Sequence, residues 1–240
     1  MPEQARKSPK ILLVGSSGQV GWELQRTLAP LGNVVAASLE GDHGPRVDLS
    51  DPRSLSRLLQ ETEPDAVVNA AAYTAVDKAE SDCELAHRLN AEAPGQLGAL
   101  LRDRGIPIIH YSTDFVFSGD AEQPYREDDQ PGPINVYGET KLGGERALAA
   151  SGANAIILRT SWVYGVHGHN FLLSMLRLFR EKDELKVVDD QVGAPTWSRM
   201  LAEVTAQVLY RVLRGELDVE RVKGVYHVTG AGQTLSLIHI

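Results

Sequence analysis

With one cysteine, Cys83, among 240 residues, the chain cannot form an internal disulfide. That scarcity fits a reducing compartment, and the acidic neighbours Asp82 and Glu84 disfavour a thiolate. No apolar run is long enough to span a bilayer, and residues 1–10 are polar, without the apolar stretch of a secretory signal. The expected location is the cytoplasm, with no membrane partner. Lys and Arg number 24 against 32 Asp and Glu, a net charge of −8 with no basic run, which argues against nucleic acid as a partner. Metal-ligand spacing is missing as well. His167 and His169 share a loop, but no further His, Cys or acid stands at ligand spacing, so both read as exposed loop histidines and no metal is expected. The 42% hydrophobic and 23% charged residues suit a globular protein, and 240 residues suffice for one substantial domain, or for a large one plus a small lobe.

What is present is an alternation of strand-like and helix-like segments. Residues 10–14, 33–38, 65–70, 106–111 and 155–159 are short, largely apolar runs and read as strands. Between them, helices are expected over 53–61, with Asp51 as N-cap and Pro52 at the first position, over 84–104 with a bend near Pro94-Gly95, and over 136–150. Apolar strands separated by helices predict an α/β fold, a doubly wound, Rossmann-like parallel sheet covered on both faces. Ligands of such sheets bind beyond the carboxyl ends of the strands, so Gly15, Asn69 to Ala72, Ser112, Thr113, Thr160 and Ser161 should meet at one rim. The dinucleotide-binding core is assigned to residues 1–161. A smaller substrate lobe takes 162–234, with helices over 170–182 and 198–214, short strands at 186–188 and 225–228, and some segments returning to the core. The loop 118–133, rich in acids and prolines, reads as solvated surface, with a substrate lid as the other reading.

Two local patterns carry chemistry. After the first strand, Gly15, Gly18 and Gly21 stand in GxxGxxG spacing ahead of a helical run. Gly15 allows a tight turn, Gly18 lets backbone approach a diphosphate, and Gly21 permits close packing of helix on sheet. The exposed N–H groups at the helix start, around Gln19 and Val20, favour an anion. Further along, Tyr137 and Lys141 are four residues apart and share a helix face. A cation about 5 Å from a phenol, at an effective dielectric of about 20, is worth roughly 3 kcal/mol or about two pKa units. Lys141 is therefore expected to draw the Tyr137 pKa down toward neutrality, where acid–base catalysis is most effective.

Longer segments support a family resemblance: NAAAYTAVDKAE at 69–80, YSTDFVF at 111–117, NVYGETK at 135–141, RTSWVY at 159–164 and DQVGAPT at 190–196. With the glycine cluster they cover nearly the whole chain, which resembles the extended short-chain dehydrogenase/reductases acting on nucleotide sugars. The resemblance implies hydride transfer from NAD(P)H to C4 of a dTDP-bound 4-keto-6-deoxy sugar, with Tyr137 protonating the alkoxide. Lys141 would bind the nicotinamide ribose and lower the Tyr137 pKa, while Thr113, in preference to its rival Ser112, would donate to the carbonyl oxygen. Ala70, Ala71 and Ala72 would be small where the cofactor crosses the rim. Asp48 and Leu49 would embrace the adenine, or belong instead to the start of the next helix. Neutral Ser38 ends the second strand where an acid would select NAD, so NADPH is expected first and NADH second. The substrate set is Thr74, Val76, Thr113, Asp114, Phe115 and Trp162. For Phe115 and Trp162, plain core packing is the competing role. The implied partner is a nucleotide sugar, and a homodimer is compatible.

Two other readings share the scaffold. An epimerase or dehydratase would need further acid/base groups beside Thr113, and Phe115 stands where a dehydratase-like Glu would follow Asp114. A non-catalytic NADP-binding regulatory subunit, of the kind represented by the beta subunit of methionine adenosyltransferase, would not need the intact Thr113, Tyr137 and Lys141. Residues 235–240, LSLIHI, match the translation of a transposon-end adapter used in DNA libraries. They are expected to be a non-native tail that replaces several tens of residues found in relatives.

Overall fold

In the computed structural model, residues 8–41, 44–182, 184 and 191–235 are described. The first half runs β1 (Lys10–Val14), α1 (Gln19–Leu28), β2 (Asn33–Ala37), α2 (Pro52–Thr62), β3 (Ala66–Asn69), α3 (Val76–Ala79), α4 (Cys83–His87), a π-helical turn (Arg88–Glu92) and α5 (Ala93–Arg102). Next come β4 (Ile108–Thr113), a 3-10 turn (Asp114–Val116), α6 (Val136–Ser151) and β5 (Ala155–Thr160). The remainder comprises β6 (Val163–Tyr164), α7 (Phe171–Glu181), β7 (Val192–Gly193), β8 (Thr196–Trp197), α8 (Ser198–Arg214), α9 (Val219–Val222), β9 (Gly224–His227) and β10 (Thr234–Leu235).

Six strands form one parallel sheet in the order β2-β1-β3-β4-β5-β9. Their alternating side chains feed two cores. Leu12, Val14, Val67, Ile108 and Ile157 pack with Leu55, Leu59, Leu97, Leu101 and Leu148 of α2, α5 and α6. Ile11, Leu13, Val68, Ile109 and Leu158 pack with Leu24, Leu28, Leu201 and Leu209 of α1 and α8. Each such fully buried aliphatic side chain is worth about 1.5–3 kcal/mol. β2 and β3 lie on opposite sides of β1, so the winding direction reverses between β1 and β3 and opens a crevice at their carboxyl ends. Register brings Val14 beside Asn69, Asn69 beside His110, and Thr113 beside Thr160, so the rim predicted from sequence is a continuous edge.

Several boundaries differ from those expected, each for a local reason. β4 runs two residues further than predicted, because Ser112 and Thr113 pair with Arg159 and Thr160; they are strand residues, not loop residues. β2 stops at Ala37, and Ser38 keeps only an isolated bridge to Arg46. The distortion expected at Pro94-Gly95 occurs one turn earlier, as the π-helical turn. Pro94 sits in the first turn of α5, where its missing N–H is tolerated. β9, expected as a lobe strand, joins the main sheet beside β5. The strand expected at 186–188 and the motif residue Asp190 lie outside the described residues, as do 236–240 of the expected tail; Leu235 pairs with Val192. Most of the loop 118–133 is exposed, although Tyr125 stacks on Phe117 at 4.3 Å. Among the described residues no helix is long and apolar enough to cross a membrane.

α2 is capped as its sequence predicts: the Asp51 carboxylate accepts from Arg53 N at 3.0 Å, and Pro52 occupies the first turn. Asp51→Ala should cost about 1 kcal/mol of unfolding free energy, measured by urea denaturation.

Candidate active site

The glycine turn is built from close contacts. Gly15 has φ +84°, and a Cβ there would lie 2.5 Å from Ala71 N, so β1 and β3 meet backbone to backbone at the crevice. Gly15 N and Ser16 N both donate to Ala37 O, at 2.9 and 3.1 Å. A Cβ on Gly21 would meet Gly15 O at 2.0 Å, which fits its predicted role in seating α1. Gly18 differs: a Cβ would touch only Gly15 O, at 3.6 Å, so its outer side is open. No side chain caps α1, so its first N–H groups, those of Gln19 and Val20 included, have no side-chain partner, although Gly168 packs close to Gln19, where its Cβ would lie 3.7 Å from Gln19 N. Ala70, Ala71 and Ala72 line the adjoining rim partly exposed, with Ala71 N donating to Asn69 Oδ1 at 3.2 Å. Uncapped amides, an open glycine and small rim residues fit a dinucleotide diphosphate.

The other expected cofactor residues have identifiable contacts. Ser38 Oγ accepts from Gly41 N at 3.0 Å and closes the turn after β2. Asp48 accepts from Ser50 N at 2.9 Å and Ser50 Oγ at 2.6 Å, and these bonds hold its carboxyl below the usual range. Leu49 is buried in the core.

At the end of β4, Thr113 Oγ donates to Asp114 Oδ1 at 3.0 Å and accepts from Phe115 N at 3.2 Å. The first turn of α6 closes over this 3-10 turn. The Phe115 and Tyr137 rings meet edge to face at 5.5 Å, and Tyr137 also has the Thr113 hydroxyl and the Asp114 carboxylate beside it. Asn135 caps α6 through Gly138 N at 2.8 Å, and Glu80 accepts from Val136 N at 2.9 Å. Four residues on, Lys141 is 2% exposed and its Nζ donates to Tyr111 O at 2.6 Å.

The electrostatics overturn one expectation. The Tyr137 pKa is not lowered but pushed up to about 12, because desolvation outweighs the influence of the nearby Thr113 hydroxyl, and the Asp114 carboxylate adds to the rise. Part of the Tyr137 surface remains open, yet enough protein surrounds the phenol to disfavour its anion. Lys141 is itself shifted down to about 8 by burial, against an opposing pull from Glu145. Its charge is directed at the Tyr111 carbonyl, not at the phenol. Asp114 is raised by burial despite the hydrogen bond it accepts from Thr113.

Residues unassigned from sequence surround this set. Asn69 Nδ2 lies 3.1 Å from His110 Nδ1; because Asn69 Oδ1 already accepts from Ala71 N, the amide donates and the His110 proton sits on Nε2, which has no partner among the described residues. Burial, reinforced by Lys141, keeps His110 neutral. Asn90, in the π-helical turn, accepts from Tyr73 N at 2.8 Å and donates to Tyr73 O at 3.0 Å and Thr140 Oγ1 at 3.2 Å, tying the post-β3 loop to α6. Glu145 and Arg159 form a buried pair under the same helix. Arg159 was detectable as a charge within an apolar strand, and Glu145 as an acid one turn after Lys141; Asn90 gave no comparable signal.

The remaining substrate candidates are more dispersed. Thr74 is exposed, and Val76 begins α3, which packs on α6. Trp162 has φ +45°, rare for a bulky residue, and its indole lies where a Cβ on Gly193 would be, 2.5 Å from Cε2. His167 departs from the expected exposed histidine: it stacks on Trp22 at 5.0 Å, with Nε2 3.1 Å from Ser17 O. His169 is exposed as expected.

Comparison with known proteins is consistent with this arrangement. A family profile described as the RmlD substrate binding domain matches residues 9–237. A dTDP-4-dehydrorhamnose reductase of Burkholderia thailandensis is 48% identical over 225 residues, covering 94% of this chain and 74% of the relative. One from Escherichia coli is 47% identical over 93% of this chain and 73% of its own length. A crystal structure of the Bacillus anthracis dTDP-4-dehydrorhamnose reductase in complex with NADP superposes with a TM-score of 0.84 at 32% identity, covering 95% of this chain and 76% of that one.

Lys141 also makes a stability prediction. Its folded pKa, about 8, lies below the ordinary 10.5, so the unfolded chain binds more protons between these values. The cost of the buried ammonium is fully present below pH 8 and is relieved as pH rises toward 10.5. Urea unfolding across this range should show that rising contribution in the native chain and lose it in Lys141→Met.

Proposed function

The chain belongs to the family of dTDP-4-dehydrorhamnose reductases that carry the RmlD substrate binding domain, and on that premise we propose its reaction. It reduces the 4-keto group of dTDP-4-dehydro-6-deoxy-L-mannose to the alcohol of dTDP-L-rhamnose. NADPH is the preferred donor, by analogy with the NADP-bound Bacillus anthracis relative, and NADH is the alternative. The observation that carries this reading is the meeting of Thr113, Tyr137 and Lys141 at the end of β4, one strand from the β1–β3 crevice.

Gly15, Gly18 and the first amides of α1 would hold the diphosphate, and Ala70 to Ala72 would leave room along the rim. Reduced nicotinamide, when bound, supplies the hydride that arrives at C4. Tyr137 donates the matching proton to the carbonyl oxygen. A phenol with a pKa of about 12 is protonated at neutral pH, which is the state an acid must have, and the sugar alkoxide is the stronger base. Thr113 turns its hydroxyl from Asp114 to the same oxygen and stabilises charge that appears only as hydride arrives. Lys141, held on the Tyr111 carbonyl, would grip the nicotinamide ribose, and solvent restores the proton that Tyr137 gives up. Thr74, Val76, Asp114, Phe115 and Trp162 belong to the sugar-nucleotide side of the site, and Ser38, Asp48 and Leu49 to the adenosine side.

NADPH consumption with dTDP-4-dehydrorhamnose is the direct test. Tyr137→Phe should lower kcat by about 10²–10⁴ with NADPH affinity retained. Thr113→Val should lower kcat by about 10²–10³. Full kcat in Tyr137→Phe would reject the phenol as proton donor.

A further inference from the structure

One buried cluster takes no part in these steps. Glu145 is 4% exposed and lies one turn after Lys141 on α6. Its carboxylate accepts three hydrogen bonds: from Ser112 Oγ at 2.5 Å, Arg159 Nε at 2.9 Å and Arg159 Nη2 at 2.7 Å. The donors come from β4 and β5, so one side chain of α6 is fastened to both strands. Ser112 sits between Tyr111, whose carbonyl receives Lys141, and Thr113. This bond also takes Ser112 away from the carbonyl-polarising role for which it rivalled Thr113. Arg159 is held in turn by stacking 5.0 Å over Phe117 and by a long contact to Glu127 O at 3.4 Å.

Resting on the hydride-transfer reading, we propose that Glu145, clamped by Ser112 and Arg159, is a positioning residue that keeps Lys141 as an ammonium on the Tyr111 carbonyl, ready for the cofactor ribose. A buried ammonium with one carbonyl partner tends to shed its proton unless an anion stands nearby. Glu145 is the carboxylate one turn along the same helix, and its pull on the ammonium acts net of the Arg159 guanidinium paired with it. His110 on β4 is neutral, Tyr137 on α6 is protonated, Asp114 on the 3-10 turn faces Tyr137, and Arg159 on β5 is engaged by Glu145. The π-helical turn offers only the Asn90 amide on this side. A purely structural clamp would stabilise the fold without affecting the Lys141 charge.

The two roles separate in Glu145→Gln, which keeps an acceptor for Ser112 but removes the charge, and in Glu145→Asp, which keeps the charge one methylene further back. The Lys141 titration is read by NMR of ¹³Cε-labelled lysines in cofactor-free protein, with the resonance assigned through Lys141→Arg. The alkaline limb of kcat/KM is measured alongside. Glu145→Gln should lower the Lys141 midpoint by about one pH unit or more and draw the limb down with it, with a smaller shift in Glu145→Asp. An unchanged midpoint in folded Glu145→Gln overturns the proposal, whatever happens to thermal stability. If that variant does not fold, an unchanged midpoint in Glu145→Asp does so. Because the NMR midpoint needs no turnover, a shifted midpoint in Glu145→Gln together with no reductase activity in the native chain would reject the proposed reaction and keep the Lys141–Glu145 coupling. Activity without a shift would reject only the coupling.

Discussion

The buried Glu145 carboxylate is the constraint on which the site depends, because its bidentate contact with Arg159 joins α6 to β5 and its bond from Ser112 joins α6 to β4, at the depth where solvent cannot help. Both side chains are 5% exposed, so each charge would be costly alone. Removing either partner from such a pair typically costs about 3–5 kcal/mol, whereas replacing both by apolar groups can be neutral. Its position beneath α6 therefore fits a placement role better than a stability role. β4, β5 and α6 are locked in relative depth, and with them the heights of Thr113, Tyr137 and Lys141.

The electrostatic character that results is that of an acid. Sequence spacing suggested a phenol softened by its lysine. In the fold both groups are buried together, and burial works against each charge: the phenol holds its proton more tightly and the amine more loosely. Protonated Tyr137 suits delivery of a proton to an oxygen that has just gained electron density.

The parallel sheet was legible because continuous apolar strands have few other uses, and the rim followed from the rule that such strands end on one side. Gly15 and Gly21 were legible because a turn this tight tolerates no Cβ. Thr113, Tyr137 and Lys141 were singled out by spacing and resemblance, and the fold puts Thr113 at the end of β4 with Tyr137 and Lys141 on the helix beside it. The end of β4 was misplaced because Ser112 and Thr113 look like loop residues until Arg159 and Thr160 pair with them. The π-helical turn at Arg88–Glu92 was hidden because Pro94 offered a more obvious reason for a bend. The sign of the Tyr137 shift was missed because desolvation is a property of the packed site, and a pair of residues considered alone carries only the Coulomb part.

The placement of β9 reaches beyond the site. β5 is assembled against β4 early in the chain's order, yet its other edge is covered only by a strand that follows the whole of α8 and α9. Until then Ile156, Ile157 and Leu158 present open backbone amides and carbonyls on an apolar strand, a template for pairing with another chain. Closing that gap is a slow, non-local step. β5 thus remains an edge strand until β9 has been made, and that interval is when its backbone is open to pairing outside the sheet.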